Sequence, residues 1–141
     1  MRIVINGGGK IGEYLANQLI AGRHQVAIIE INREKVEQLA SRLDPTVVIV
    51  LGDGCDSAIQ ADAGADEADI FISTTGLDDV NLVSCEISMI VHKVPRCIAR
   101  VNNPKNERIF RRVGIEAVSS TLVIANLIES DVLYGAEGEG G

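Results

Sequence analysis

Arg2-Ile3-Val4-Ile5-Asn6-Gly7-Gly8-Gly9-Lys10-Ile11-Gly12 is the stretch on which the reading of the whole chain turns. Arg2–Asn6 is a β-branched apolar run of strand length, as a buried strand requires. It passes directly into G-x-G-x-x-G at Gly7, Gly9 and Gly12. That pattern is weak alone, but between a strand and a helix it has the context of a dinucleotide-binding loop. Gly7 allows the tight turn, Gly9 lets a pyrophosphate approach the backbone, and Gly12 lets helix and strand pack closely. The helix that opens there offers unpaired N–H groups and the positive end of its dipole to an anion, so Gly8, Lys10 and Ile11 join the candidate site. The plainer alternative is a glycine turn with a structural role only.

Outward from this loop the chain alternates strand and helix. Ile11–Ala21 carries Ile11, Leu15 and Leu19 on one helical stripe, and Gly22 stops it. Gln25–Glu30 reads as the second strand. Asn32 caps a helix with Val36, Leu39, Ala40 and Leu43 on its apolar side, ended by Pro45. Thr46–Leu51 is the third strand, and Asp56 caps a short helix closed by Gly64. Asp69–Ser73 is the fourth strand. Asp78 or Asp79 caps a helix to about His92, with apolar coverage from Leu82, Val83, Cys85, Ile87, Met89 and Ile90. Arg96–Val101, a helix from Asn103-Pro104 to Val113, a strand at Ala117–Ser119 and a helix over Leu122–Leu133 complete the series. Strands that alternate with helices imply a parallel sheet. The fold expected is α/β, a doubly wound Rossmann-type sheet of six parallel strands with helices on both faces, over residues 1–134. Residues 135–141, rich in Gly and Glu, are expected to be a flexible tail.

Composition narrows the class. The 141 residues are 46% hydrophobic and 23% charged, as in a globular domain. No apolar run approaches the ~20 residues needed to span a bilayer, and Arg2 leads straight into a strand, so no secretory signal is expected. The three cysteines lack paired spacing, which argues against a disulfide framework or a zinc site. The net charge of −7 disfavours a nucleic-acid partner. No basic residue falls between Arg42 and Lys93, whereas Arg96, Arg100, Lys105, Arg108, Arg111 and Arg112 follow closely. These are either two solvated faces or arginines turned to an anionic ligand or partner.

Glu30, which ends the second strand 18 residues after Gly12, has the placement of a ribose-binding acid. A carboxylate there favours NAD(H) over a 2′-phosphorylated cofactor. Ligands of open α/β sheets bind beyond the carboxyl ends of the strands. Asp53 and Gly54 therefore suit the adenine side, Thr74, Thr75 and Gly76 the second ribose or the phosphates, and Arg100 a diphosphate. Each has a plainer alternative: Asp53 as a turn cap, the threonines as partners of backbone groups, Arg100 paired with Asp78.

Leu51-Gly52-Asp53-Gly54-Cys55-Asp56, Ile72-Ser73-Thr74-Thr75-Gly76-Leu77-Asp78-Asp79-Val80-Asn81-Leu82 and Ile98-Ala99-Arg100-Val101-Asn102-Asn103-Pro104 occur in that order. With the glycine loop they resemble the RCK or KTN nucleotide-binding domain of potassium transport regulators, of the TrkA N-terminal type. The resemblance covers about residues 1–134 and implies several things. The domain would bind NAD, NADH, ATP or ADP in the Rossmann crevice. It would be a regulator and not an enzyme, and would control a membrane potassium channel or transporter by a conformational shift. Its place would be cytoplasmic, peripheral at the inner face of the membrane through its partner. The sequence departs from the family at Gly54-Cys55, where Ala-Thr is common. The family also often continues into a smaller ligand-binding domain, so the sequence belongs either to a one-domain member or to one cut short.

The competing class is a small NAD-dependent oxidoreductase, which needs a proton donor beside the nicotinamide. His24 falls in a helix-to-strand turn and His92 at a helix end, neither beside the glycine loop in sequence, and Tyr14 and Tyr134 lack a lysine at the spacing of short-chain reductases. Cys55 reads as a small filler. Asp78 and Asp79 read as helix-start charges favoured by the dipole. The last helix is apolar all round, at Leu122, Val123, Ile124, Ala125, Leu127, Ile128, Val132 and Leu133. Burial on several sides is therefore expected, most simply against a second copy in a homo-oligomer, a dimer or higher.

Overall fold

Six short apolar strands, each followed by a helical segment, close into one parallel sheet in the computed structural model, which describes residues 1–140, with side chains through residue 135. The strands are β1 (Arg2–Asn6), β2 (Gln25–Glu30), β3 (Val48–Leu51), β4 (Ile70–Ser73), β5 (Arg96–Val101) and β6 (Glu116–Ser119). The helices are α1 (Lys10–Ala21), α2 (Arg33–Arg42), α3 (Ser57–Asp62), α4 (Asp78–Ile90), α5 (Glu107–Arg112) and α6 (Ser120–Gly140). The strand order is β3-β2-β1-β4-β5-β6, with every neighbouring pair parallel. The expected doubly wound fold is borne out. The order reverses between β1 and β4, so the carboxyl ends of those two strands flank the crevice.

Alternate residues of each strand feed two cores. On one face Ile3, Ile5, Val26 and Ile28 pack under α1 and α2 through Ala16 and Leu39. On the other, Val4, Ile29, Phe71 and Ala99 meet Cys85 of α4 and Phe110 of α5. The central strands are buried on both sides, which is why they read as unbroken apolar runs.

Several boundaries differ from the sequence reading for local reasons. β3 begins at Val48 and not at Thr46, because Asp44 holds the preceding turn: its Oδ1 accepts from Thr46 N at 2.9 Å and Thr46 Oγ1 at 2.6 Å. α4 ends at Ile90 and not near His92, since Lys93 takes a positive φ of 57° and the chain turns back, with Val94 N donating to Ser88 O. α6 begins at Ser120, where Ser119 Oγ accepts from Leu122 N at 3.2 Å. Neither Asp78 nor Asp79 caps α4; Leu77 holds the cap position. The apolar coverage of α4 is narrower than expected: Leu82, Cys85 and Met89 meet the core. Its fully buried residues are Asn81, Ser84, Cys85 and Ser88, while Val83 and Ile90 are exposed. Of the residues expected as a flexible tail, 135–140 continue α6, and residue 141 lies outside the described residues.

Candidate functional site

The three glycines of the motif have three different surroundings. Gly7 has φ +111°, a conformation that L side chains rarely adopt, and its N–H donates to Ile29 O at 2.8 Å. Gly12 lies under it: a Cβ there would stand 1.9 Å from Gly7 O, so the side-chain-free position lets α1 start against the loop. Gly9 is the reverse case, for a Cβ there would meet nothing within 4 Å. Its Cα faces open space at the N-terminus of α1, where four N–H groups lack helical partners.

That open space belongs to a crevice of about 650 Å³ at the carboxyl ends of the strands. Of the residues expected there, Gly7, Gly9, Lys10, Ile11, Glu30 and Asp53 line it. Gly54, Thr74, Thr75, Gly76 and Arg100 line it as well. Gly8 and Gly12 do not; they shape the loop from behind. Sequence reasoning missed Asn6, Ile29, Ile31, Lys35, Leu77 and Val80. Asn6 ends β1 and fell under the same strand-end rule. Ile31 and Leu77 carry a second signal, as apolar residues left 70% and 61% exposed beside the crevice. A second depression of about 510 Å³ lies at the opposite end of the strands around Arg2, Arg23 and His24 and shares none of these residues.

Glu30 is 6% exposed, and both its oxygens are held by backbone. Oε1 accepts from Gly8 N at 2.9 Å and Oε2 from Asn32 N at 2.7 Å. Each carboxylate oxygen has a further lone pair, so the group stays able to accept from a ligand. Asp53 does act as a turn cap: its Oδ1 accepts from Cys55 N at 2.8 Å. The departure at Gly54 has a steric reason, because a Cβ there would stand 2.1 Å from Asn6 Oδ1. Thr74 Oγ1 lies 3.5 Å from the carbonyls of Asn6 and Gly7. Thr75 Oγ1 donates to Asn81 Oδ1 at 2.6 Å.

Beneath this rim runs a buried polar network. Asn81 Oδ1 accepts from Ser73 Oγ at 2.8 Å and from Thr75 N at 3.1 Å. Its Nδ2 donates to Thr75 O at 3.0 Å and Arg100 O at 2.8 Å. Ser73 Oγ accepts in turn from Asn6 Nδ2 and Ser84 Oγ, both at 3.1 Å. Asn81 thus fastens the loop after β4 to the backbone of β5 at Arg100.

Arg100 is not paired with Asp78. The Asp78 carboxylate accepts from Asn102 N at 2.6 Å, Asn103 N at 2.9 Å and Asn106 Nδ2 at 2.8 Å. Burial pushes its carboxyl up, but these hydrogen bonds outweigh burial and hold it below the ordinary 3.8. A depressed folded pKa adds stability that is present above the unfolded value and lost as pH falls through the folded one. The stability gap between the parent and Asp78→Asn is therefore expected to narrow as pH drops below about 4. Urea unfolding midpoints between pH 3 and pH 7 check this; a gap that stays constant through that range contradicts it. Arg100 Nε, by contrast, is the one buried side-chain polar atom without a hydrogen-bond partner among the described residues.

No His, Cys or Tyr lines the crevice among the described residues. His92 Nε2 sits 3.0 Å from Ser57 O, and His24 Nδ1 3.2 Å from the Met1 amine. Cys55 is near, but burial first, then the Asp53 and Asp79 charges, push its thiol up, against a thiolate role. No group of three metal-ligating side chains occurs among the described residues, and no described helix is long and apolar enough to cross a membrane.

Residues 3–121 match the TrkA-N domain. The chain belongs to the TrkA-N domain family. It is 40% identical over 120 residues to a Trk system potassium uptake protein TrkA homolog of Methanothermobacter thermautotrophicus, across 85% of this chain and 54% of the relative. It is 32% identical over 137 residues to a Trk system potassium uptake protein TrkA of Mycobacterium tuberculosis, across 96% of this chain and 61% of the relative. The chain thus spans little more than half the length of these relatives. Among solved structures, the TrkA-N domain of the Escherichia coli inner membrane protein ybaL superposes with TM-score 0.82 at 22% identity, over 92% of this chain and 94% of that one. A GsuK channel bound to NAD superposes with TM-score 0.76 at 21% identity, over 86% of this chain and 22% of that one. GsuK bound to ADP gives TM-score 0.68 at 21% identity, over 83% of this chain and 30% of that one. These structures share the fold. The resemblance drawn from the three strand-end segments is borne out.

Proposed function

We propose that this TrkA-N domain is the nucleotide-sensing part of a potassium uptake system, and that it binds NAD(H) in the crevice between the glycine loop and Arg100. The observation that carries this reading is the unpartnered Arg100 Nε, a buried cationic donor in the same crevice onto which Gly9 opens. A buried donor without a partner is costly, and a ligand phosphate would satisfy it. Glu30, held by Gly8 and Asn32, accepts from the adenosine ribose hydroxyls. The relatives named for potassium uptake, and the same fold in a channel bound to NAD, support the assignment. ADP is the second ligand to test, since Glu30 would hold its ribose equally and a like fold carries it.

Calorimetric titration with NADH, NAD, ATP and ADP tests the reading. Glu30→Ala is expected to weaken NADH binding by about 1.5–3 kcal/mol, the worth of hydrogen bonds to a charged group. Equal affinity in the parent and Glu30→Ala would remove the acid from the site. The role is regulatory rather than catalytic: the ionisable side chains around the crevice are Lys10, Glu30, Lys35, Asp53 and Arg100, with no histidine or tyrosine to pass a proton to a carbonyl. Robust turnover of NADH with any alcohol, hydroxy acid or aldehyde would overturn that role. The domain works at the cytoplasmic face of the membrane through its transporter.

The domain also pairs with a second copy through α6. Leu127, Ile128 and Val132 are 63%, 59% and 79% exposed, so the single chain leaves most of this apolar helix uncovered. Ile128→Glu is expected to shift the protein toward monomer. Sedimentation at about 100 μM reads this, and a parent that sediments as a monomer defeats it.

A further inference from the structure

The loop that lines the crevice and the helix that projects from the domain share one residue. Asn102 follows β5. Its side-chain Nδ2 donates to Thr75 O at 3.2 Å and Asp78 Oδ1 at 3.0 Å. Its backbone N–H donates to Asp78 Oδ1 at 2.6 Å. Its carbonyl accepts from Thr121 Oγ1 at 3.2 Å, in the first turn of α6. One residue therefore touches the crevice loop through its amide side chain and the base of α6 through its backbone.

The attitude of α6 depends on that base. Within a single chain the described part of the helix is exposed from Thr121 to Tyr134, and the side-chain hydrogen bonds at its base run through Ser119 and Thr121. Gly135 lies fifteen residues above Ser120, about 22 Å along the axis at 1.5 Å per residue. A tilt of about 10° at the base would carry that point about 4 Å. A small movement of Asn102 would be amplified along the helix.

We propose that Asn102 is the positioning residue that couples occupancy of the crevice to the direction of α6. The proposal rests on the reading of the crevice as a nucleotide site. A phosphate drawn to Arg100 pulls on the end of β5, to which Asn81 fastens the loop after β4. Asn102 follows, because Thr75 O and Asp78 both hold it, and Thr121 passes the shift to α6. The size of the response is limited by the difference in nucleotide affinity between the two settings of the helix. The coupling is reciprocal, so a partner that clamps α6 changes NADH affinity by the same factor.

Amide hydrogen exchange over residues 121–126, measured on the full chain with and without saturating NADH, tests the coupling. In the parent, NADH is expected to change these rates at least threefold. Thr121→Val keeps the size of the side chain and removes the hydroxyl, at a position remote from the crevice. It is expected to bind NADH within threefold of the parent and to lose the α6 response, which Thr121→Ser restores. Asn102→Ala is expected to lose the response as well. An α6 response that persists in Thr121→Val overturns the proposal. So does a response that vanishes only because α6 already exchanges at the unfolded rate without NADH. If the parent binds NADH but its α6 amides do not change, the coupling is wrong and the nucleotide site stands. If the parent binds none of the four nucleotides, the site itself is wrong and the coupling falls with it.

Discussion

Gly9→Val is expected to abolish NADH binding while the domain stays folded. Gly9 holds the N-cap of α1 at φ −72°, which valine also adopts. A Cβ there meets no atom within 4 Å, so the side chain grows into the crevice and not into the protein. Valine is a poor N-cap, and the substitution should cost about 1 kcal/mol of stability. The ligand loses far more, because a branched side chain takes the place where a diphosphate would lie against the first N–H groups of the helix. Gly12→Ala separates the two roles of the motif. Its Cβ would stand 1.9 Å from Gly7 O, a backbone atom that cannot swing aside. α1 and the loop must then part, at an overpacking cost of about 1–3 kcal/mol. Urea unfolding together with NADH titration distinguishes the pair. Gly9→Val should lose binding and keep most of its stability; Gly12→Ala should lose stability first. Retained NADH binding in Gly9→Val would contradict the placement of the phosphates.

The course of the chain was legible because its signals are local and periodic. β1 and β2 are buried on both faces, so Ile3-Val4-Ile5 and Val26-Ala27-Ile28-Ile29 appear as unbroken apolar runs. The caps at Asn32 and Asp56 were legible for the same reason. Asn32 Oδ1 accepts from Lys35 N at 3.0 Å and Asp56 Oδ1 from Ala58 N at 2.9 Å, both within three residues. Asp78 was misread because its partners, Asn102, Asn103 and Asn106, are more than twenty residues away, and no spacing rule reaches them. The strand-end rule found most of the crevice, since a parallel sheet delivers all its carboxyl ends to one side. It missed Lys35 and Leu77, which enter from helix starts. α4 misled for a different reason. Apolar residues occur around most of its circumference, and composition alone favoured burying them. Leu82, Cys85 and Met89 do meet the core, but the same helix also buries Asn81 and Ser84, which partner Ser73 at the end of β4, and Ser88, which bonds Gln60.

That buried polar face carries the second large effect. Asn81→Leu is expected to cost about 3 kcal/mol or more, although leucine is close to asparagine in size and is a better helix former. Asn81 is fully buried, and its amide engages the hydroxyl of Ser73, three groups of Thr75 and the carbonyl of Arg100. Leucine would leave those groups in a dry interior, where an unsatisfied polar group costs about 1–3 kcal/mol. Ser88→Ala is the control from the edge of the same network. Ser88 Oγ donates only to Gln60 Oε1, at 2.7 Å, and Gln60 keeps its bonds to the carbonyls of Gly54 and Ser84. Its loss should cost about 1 kcal/mol. Urea unfolding with an unchanged slope reads both. An Asn81→Leu protein within about 1 kcal/mol of the parent would mean that α4 is held by its apolar contacts, as its composition first suggested. The ordering expected here follows from where the bonds go: Asn81 ties the crevice loop to β5 at Arg100, so the contacts that stabilise the fold also fix the geometry of the ligand site.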